Sequence, residues 1–475
     1  MQVTRREWLS RAGMGFGQLG LAGLLSNRSV AGSPLVSSSG PVSINPLAAK
    51  PPQFAPRAER VIHIFLNGGP SHIDTFDPKP KLREWDGKPL PAPNLLTERQ
   101  TGMAFGSPFK FQRYGESGLE ISELFADLGP VADELCVVRS MVADLPNHEP
   151  SLMLMNCGTA NVVRPSMGSW LLYGLGSVSE NLPGYVAMSP GGHPVKGPEN
   201  WASAFLPSVY QGTFIDTKQH AIESMIANIR NGKWDPKQQR SELDLAQSLN
   251  RQFAARHEGE ANLESRIASF EQAFRMQTAA AEAFDVELEP ESVRQMYGDS
   301  DQARQILIAR RLVERGVRFV QLWHGAWQPW DNHNDLEVNH RKLAGECSRA
   351  VGALIADLRQ RGLLDSTLVI LGGEFGRTPT VELDGSGTKS QLGRDHNHYG
   401  FSVVLAGGGV RGGHVHGATD EFGFQAVEDR VHVHDLHATI LHLMGFDHTQ
   451  LTYRHAGRDF RLTDVHGQVV RSLIA

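Results

Sequence analysis

Carboxylates and imidazoles occur in four stretches of the sequence, each beside a short apolar run. The side chains that could bind a metal there are Asn67, Asp74, Asp331, His333, Glu374, Asp395, His396 and His398. Imidazole nitrogens and carboxylate oxygens are common protein ligands of divalent metals. A metal bound among them can polarise an ester oxygen and activate water or a side-chain nucleophile. Their joint occurrence therefore predicts a divalent-metal site.

Each of these residues also has a structural alternative. Asn67-Gly68-Gly69 suits a tight turn, Asp74 suits a helix cap, and a chain with 20 His has histidines in solvated loops as well. Glu374 is the most informative, because it follows a nearly all-apolar run and a buried carboxylate must be paired or bound to a metal. Arg377 is the alternative partner, and we expect it to steady an anionic substrate as well.

The elements that must position these residues alternate between strands and helices. Apolar runs predict strands at residues 61–66, 135–138, 185–188, 317–323, 367–371 and 401–405. Apolar spacings of three and four predict helices at 303–315, 341–361 and 436–444, and a helical insertion at about 241–300. This order favours an α/β fold with a mostly parallel central sheet and helices on both faces. Ligands of such sheets bind at the carboxyl ends of the strands, beside which the candidate residues occur.

The N-terminus has the pattern of an export signal. Arg5-Arg6 precedes a weakly apolar run, and Ser29-Val30-Ala31 offers small residues for cleavage. Residues 1–31 are therefore predicted to be a twin-arginine signal peptide, and residues 32–57 a flexible lead-in to a domain at 58–475. The prediction places the mature protein in the periplasm or outside the cell. No apolar run is long enough to span a membrane.

Charge and cysteine content exclude some classes of function. The formal net charge is −6 and there is no basic stripe, which argues against a nucleic-acid partner. The three cysteines include no CxxC pair, so a cysteine-based metal or redox site is not expected.

Three segments resemble the sulfatases. Residues 367–377 are similar to the stretch "TLVIFTSDHG", in which Glu374 falls at a metal-binding Asp, and residues 435–445 are similar to the helix "DLAPTLLDLAG". Residues 148–158 resemble "CTPSRAALLTG", in which His148 occupies the position of the nucleophile. Asn67 falls near the first metal-binding Asp, and His396 or His398 would match a late metal-binding His of the phosphatases.

A closer resemblance is to domain-of-unknown-function family 1501, an exported bacterial family of the alkaline phosphatase and sulfatase superfamily. It rests on "NGGPSHIDTFDPKP", "RPSMGSWLLYGLG", "WDNH" and "GGEFGRTP". The resemblance implies an alkaline phosphatase-like core and export, and no settled activity. Because Asn67 replaces a metal-binding Asp of the superfamily pattern and Phe375 stands where it often has His or Asn, one divalent ion (Zn, Ca, Mn or Mg) is expected here instead of two.

Two functions follow as hypotheses. The first is a hydrolase of phosphate or sulfate esters, in which His148 acts as nucleophile or metal ligand and Arg377 steadies the anion. The second is a non-catalytic protein of the same fold that binds sulfated or acidic glycans or an envelope partner. The substrate and the oligomeric state are not specified by the sequence.

Overall fold

The structure, a computed structural model, describes residues 45–226, 229, 235–254, 261–383 and 392–475. The predicted signal peptide, residues 32–44 of the predicted lead-in and residues 255–260 of the predicted insertion lie outside the described residues. Residues 45–57 lie against the domain, where Leu47 is buried and the amide of Lys50 donates to the carbonyl of Leu175 at 2.8 Å. This part of the lead-in is anchored to the domain.

The described strands occur at the positions where the sequence has its apolar runs. In chain order they are β1 (Arg60–Phe65), β2 (Thr101–Ala104), β3 (Phe111–Tyr114), β4 (Leu119–Ser122), β5 (Leu135–Val142), β6 (Tyr185–Ser189), β7 (Thr213–Asp216), β8 (Phe319–Trp323), β9 (Thr367–Gly372), β10 (Gly376–Glu382), β11 (Arg394–Asn397), β12 (Phe401–Ala406), β13 (His414–His416), β14 (Ala418–Thr419), β15 (Ala426–Glu428), β16 (Val431–His432), β17 (Tyr453–His455) and β18 (Arg458–Phe460). All six predicted strands are present.

A nine-stranded sheet forms the centre of the domain, in the order β13-β5-β12-β9-β1-β8-β6-β7 with β16 also paired to β5. β1 is parallel to both β8 and β9, and β6 is parallel to β7 and β8. Strand β12 runs antiparallel to its neighbours β5 and β9. The prediction of a mostly parallel central sheet is therefore confirmed.

The described α-helices lie between these strands. They are α1 (His72–Thr75), α2 (Pro80–Glu84), α3 (His148–Cys157), α4 (Met167–Leu175), α5 (Ile222–Met225), α6 (Pro236–Ala254), α7 (Ala261–Phe284), α8 (Glu291–Tyr297), α9 (Asp301–Glu314), α10 (Leu336–Gln360) and α11 (Val433–Leu443). Within the described ranges, no helix is both long and apolar enough to cross a membrane.

Apolar side chains point alternately to the two faces of the central sheet, so the core is divided between these faces. On β1, Ile62 and Ile64 pack in a cluster that includes apolar residues of α9 and α10. Val61 and Phe65 belong to a second cluster with residues of α3, α4 and α11. Successive side chains of a strand point to opposite faces, so β1 joins two apolar layers. Helices thus cover both faces, as predicted.

A small antiparallel sheet, in the order β11-β10-β2, lies next to the ends of the central strands. Its strand β10 begins four residues after β9 ends, and β11 ends four residues before β12 begins. These short connections hold residues of β10 and β11 close to the turns after β1 and β9. The small sheet thereby supplies polar side chains to the edge of the large one.

Two glycine substitutions test this packing in opposite directions. Gly158, at φ +68 after α3, has room for no side chain, because a Cβ would lie 1.9 Å from the carbonyl oxygen of Leu462. Gly345 lies within α10, and its Cβ would meet nothing within 4 Å. We expect Gly158→Ala to destabilise the protein by about 1–3 kcal/mol and Gly345→Ala to stabilise it by about 0.5–1 kcal/mol. Thermal midpoints of the two variants should move to opposite sides of the wild-type value, and a shift in the same direction would contradict the packing.

Candidate metal centre

Three imidazoles converge on one carboxylate oxygen, Oδ1 of Asp331. The Nε2 atoms of His148, His333 and His396 lie 3.3, 2.8 and 3.0 Å from it. Only His396 makes an aligned hydrogen bond, whereas Nε2 of His148 and Nε2 of His333 are buried without a hydrogen-bond partner. These two nitrogens approach the carboxylate closely but are not directed at it, so they share a small region of space with it.

Asp395 adds a second carboxylate to this cluster. It is fully buried, and its Oδ1 has no hydrogen-bond partner while its Oδ2 accepts from the amide of Arg99 at 2.7 Å. The described part of the chain contains two groups of three residues that could hold a metal, and both include His396. Within each group, the ligand atoms lie within 4.8 Å of one another. The groups are His148 with Asp331 and His396, and His333 with Asp395 and His396.

The far nitrogen of each imidazole is held by a separate glutamate. Nδ1 of each ring contacts one carboxylate, and the pairs are His148 with Glu374 at 2.7 Å, His396 with Glu98 at 2.6 Å, and His333 with Glu382. Histidines that bind metals almost always donate their other ring N–H to such a partner, which fixes the tautomer and the ring orientation. The three rings are thus positioned to present unprotonated Nε2 atoms to a cation.

The pKa values reflect this concentration of negative charge. Burial alone would lower the pKa of His148, but its contacts with Asp331 and Glu374 raise it to about 9. Burial alone would raise the pKa of Asp331, but its contacts with the three imidazoles and Arg377 hold it well below the usual range. The contacts of His333 with Asp331 and Glu382 likewise outweigh burial and raise its pKa. Without a metal, protons on imidazoles supply the positive charge that these carboxylates need.

The residues present fit a divalent ion. Three buried ligand atoms have no hydrogen-bond partner within the described structure, namely Nε2 of His148, Nε2 of His333 and Oδ1 of Asp395. Buried polar atoms without a hydrogen-bond partner are costly, and a cation in either group would satisfy those that the group contains. Three imidazoles favour zinc or a similar transition metal over Ca²⁺ and Mg²⁺, which prefer oxygen ligands.

Asn67 shapes the site without reaching it. Its Nδ2 donates to the carbonyls of Gly325 at 3.1 Å and Trp327 at 2.6 Å, and its Oδ1 accepts from the amide of His324 at 2.9 Å. This fully buried amide therefore ties the end of β1 to the loop that carries Asp331. Both polar atoms of the side chain are engaged by backbone groups, which gives Asn67 a structural role in place of the predicted ligand role.

Arg377 is also buried in full, and its guanidinium is used within the protein. Its hydrogen-bond acceptors are the carbonyls of Gly68, Gly69, Trp330 and Arg394 and Oδ1 of Asp331. A guanidinium so enclosed has no access to a substrate anion. The expectation that Arg377 contacts the substrate is corrected, since the geometry makes it a positioning residue for Asp331.

The remaining predicted residues divide between support and other sites. Glu374 stands behind His148 and accepts the amide of Gly68 at 3.0 Å. Asp74 forms a buried ion pair with Arg394 at 2.8 Å, and neither metal group includes it. His398 also lies outside both groups, with its ring 4.0 Å from that of Tyr399. Asp74 and His398 are thus not brought to the centre.

Three residues of the site have no signal in the sequence. Glu98 and Arg99 precede β2 in a polar stretch, and Glu382 ends β10. Each is brought to the histidines by the pairing of β10 with β2 and β11, which are distant in sequence. Only the pairing of these strands could have revealed them.

One family model matches most of the chain. The model of the family described as "Protein of unknown function (DUF1501)" matches residues 58–474. The chain belongs to this family. Among curated proteins, none matches the sequence of this DUF1501 protein.

Solved structures similar to this DUF1501 protein are distant. They include the lipoteichoic acid synthase LtaP from Listeria monocytogenes (11% identity, 88% of this chain and 78% of that chain, TM-score 0.36) and the PsFucS1 sulfatase from Pseudoalteromonas sp. (13%, 82% and 68%, 0.34). Another is the alkaline phosphatase from the Antarctic bacterium TAB5 (9%, 82% and 98%, 0.31). Such low similarity carries no conclusion about activity or ligands.

The glutamates behind the histidines should control metal affinity. We expect Glu98→Gln to weaken zinc binding roughly 10–100-fold, because the amide removes the negative charge that orients and polarises His396. Competition titration against a zinc chelator measures this, with Glu180→Gln, at an 82% exposed side chain, as the matched control. Equal zinc affinity of Glu98→Gln and wild type would show that this carboxylate does not support the centre.

Proposed function

We propose that this DUF1501 protein is a metal-dependent hydrolase of sulfate or phosphate esters. The observation that carries the proposal is the convergence of three imidazoles and two carboxylates, three of whose ligand atoms are buried without hydrogen-bond partners. In this proposal the Arg5-Arg6 signal exports the protein by the twin-arginine route, so that it acts in the periplasm or outside the cell.

Two groups that share His396 would hold the metal: His148 with Asp331 and His396, and His333 with Asp395 and His396. A divalent ion there supplies Lewis acidity that polarises an ester oxygen. Phe375 covers one side, with its ring 4.9 Å from that of His148 and 4.6 Å from that of His396. This apolar wall excludes water from part of the cluster and strengthens its electrostatic interactions.

His148 is a ligand in this proposal and not a nucleophile. Its Nδ1 is engaged by Glu374, and its buried Nε2 would be occupied by the metal, so neither nitrogen would be free to attack an ester. In the described part of the chain, no hydroxyl or thiol side chain hydrogen-bonds to the five ligand side chains. Direct attack by water, without a covalent enzyme intermediate, is the hydrolytic route that remains.

Arg99 takes the anion-binding role that Arg377 cannot fill. Its amide donates to Asp395, and its guanidinium, half-exposed, contacts Glu382 at 2.9 Å. The guanidinium therefore lies beside the ligand cluster and still has donors open to solvent. A planar cation at that place can bind the oxygens of a sulfate or phosphate group in two-point contact.

Within the described residues, no hydroxyl or thiol that could act as a nucleophile is hydrogen-bonded to the ligand side chains. This observation also favours the alternative, a protein that binds sulfated or acidic glycans without hydrolysing them. The two functions share the metal and the anion site. Turnover separates them.

Removal of one shared ligand should abolish metal binding and activity together. His396 belongs to both metal groups, so we expect His396→Ala to lose the metal and all turnover. Elemental analysis and a panel of sulfate and phosphate esters, assayed with Zn, Mn, Ca and Mg, measure both, with His220→Ala as the control at an exposed histidine. Metal in the wild type without turnover on any ester would favour the binding protein, and metal retained by His396→Ala would exclude this centre.

Loss of the Arg99 guanidinium should weaken catalysis while the metal stays bound. We expect Arg99→Ala to lower kcat/KM roughly 10–100-fold, because one charged donor to the ester oxygens is removed. Metal content is measured on the same sample, and Arg113→Ala, at a 77% exposed side chain, serves as the control. Unchanged kcat/KM in Arg99→Ala would remove this residue from the anion site.

A further inference from the structure

Trp327 combines two features that are rare for a tryptophan. Its backbone is left-handed, with φ +60, and 75% of its surface is exposed. Four other tryptophans, Trp170, Trp201, Trp323 and Trp330, are fully buried. A positive φ at a bulky residue is unfavourable and persists only where the surroundings impose it.

The backbone around Trp327 is fixed from both sides. Its carbonyl accepts from Nδ2 of the buried Asn67 at 2.6 Å, and its amide donates to the carbonyl of His193 at 3.0 Å. Trp327 also forms an isolated parallel bridge with Pro194. The indole is therefore displayed by a loop held in place by specific hydrogen bonds.

This loop is the one that supplies Asp331 to the metal centre. Asp331 follows four residues after Trp327, so their Cα atoms are at most about 14 Å apart. A turn between Gln328 and Asp331, with the amide of Asp331 donating at 3.0 Å, brings them nearer than an extended chain would. Asn67, which bonds to both ends of the segment 324–327, fixes the indole and the ligand in one frame.

The surroundings of Trp327 favour a small ring-shaped ligand over a protein or membrane surface. In the loop between β8 and α10, residues 324–335, and in the segment 190–196 that it contacts, all of which are described, Trp327 is the only large hydrophobic side chain that is exposed. Protein and membrane contacts use continuous apolar patches. A single aromatic face among polar residues instead suits a sugar ring, which has an apolar C–H face and a polar rim.

We propose that Trp327 stacks against the sugar ring of a glycoside ester whose sulfate or phosphate group reaches the metal centre. This inference rests on the proposed function and names its substrate class. The indole binds the alcohol part of the ester, while the ligand cluster and Arg99 bind the acidic part. Trp327 is thus a specificity-determining residue.

The experiment compares ring-bearing with ringless esters on the metal-loaded full chain. The probes are the 6-sulfates and 6-phosphates of glucose, galactose and N-acetylglucosamine, against methyl sulfate and methyl phosphate, titrated by calorimetry. Wild type should bind at least one sugar ester about tenfold more tightly than its methyl counterpart. Trp327→Gly should abolish this preference, and glycine tolerates φ +60, so the fold is kept.

Two further variants sharpen the result. Trp327→Phe retains an aromatic face and should keep part of the preference, whereas Val338→Ala, at a 68% exposed side chain, should leave it unchanged. Equal binding of sugar and methyl esters by wild type, or a preference that survives in Trp327→Gly, would overturn the inference alone. Failure of metal-loaded wild type to bind either class would overturn the proposed function with it.

Discussion

The partly buried carboxylate of Asp331 is the group on which the rest of the site depends. A charge removed from water must be compensated, and Asp331 is compensated by three imidazoles and by Arg377 at 2.7 Å. Arg377 in turn binds four backbone carbonyls, which fixes the turn after β1 and the start of β11 around it. The geometry of the centre is therefore set by electrostatic compensation as much as by packing. A divalent ion would take over the role that imidazole protons have without it.

Strand direction explains why these residues meet at one edge. β1, β8 and β9 are parallel, so Gly68, Asp331 and Glu374 follow their carboxyl ends at the same side of the sheet. β12 is antiparallel to β9, so the residues before β12 lie at that side, and His396 is among them. β5 is antiparallel to β12, hence its carboxyl end points the same way and leads to His148. One reversed strand thus adds an amino end to an edge otherwise built from carboxyl ends.

Much of this arrangement could be predicted from the sequence, and the errors have physical causes. Apolar runs located the strands, and Asp331, His333, Asp395 and His396 were expected beside them because strand ends collect ligands. The side-chain roles of Asn67 and Arg377 could not be predicted. Asn and Arg side chains can bind either a ligand or backbone groups, and the burial of these two residues, which determines the role, is not visible in the sequence. Glu98 and Glu382 depend on the pairing of β2, β10 and β11, whose short irregular strands carry no periodic signal. Leu245 and Leu249, four residues apart in the predicted helical insertion, are exposed on α6, so such spacing indicates a helix but not which of its faces is buried.

The charge of the centre bears on which ester it can accept. Five carboxylates surround it (Asp331, Asp395, Glu98, Glu374 and Glu382), and two guanidinium groups, those of Arg99 and Arg377, oppose them. With neutral imidazoles and one divalent ion, the sum is one net negative charge. Within the described structure, Arg99 is the cation of this set that solvent can reach, and it already contacts Glu382. A dianionic phosphate monoester would therefore meet more repulsion than a sulfate ester or a phosphodiester, each of which carries a single negative charge. If Trp327 stacks on a sugar ring as proposed, that contact adds affinity that the electrostatics of this centre do not provide.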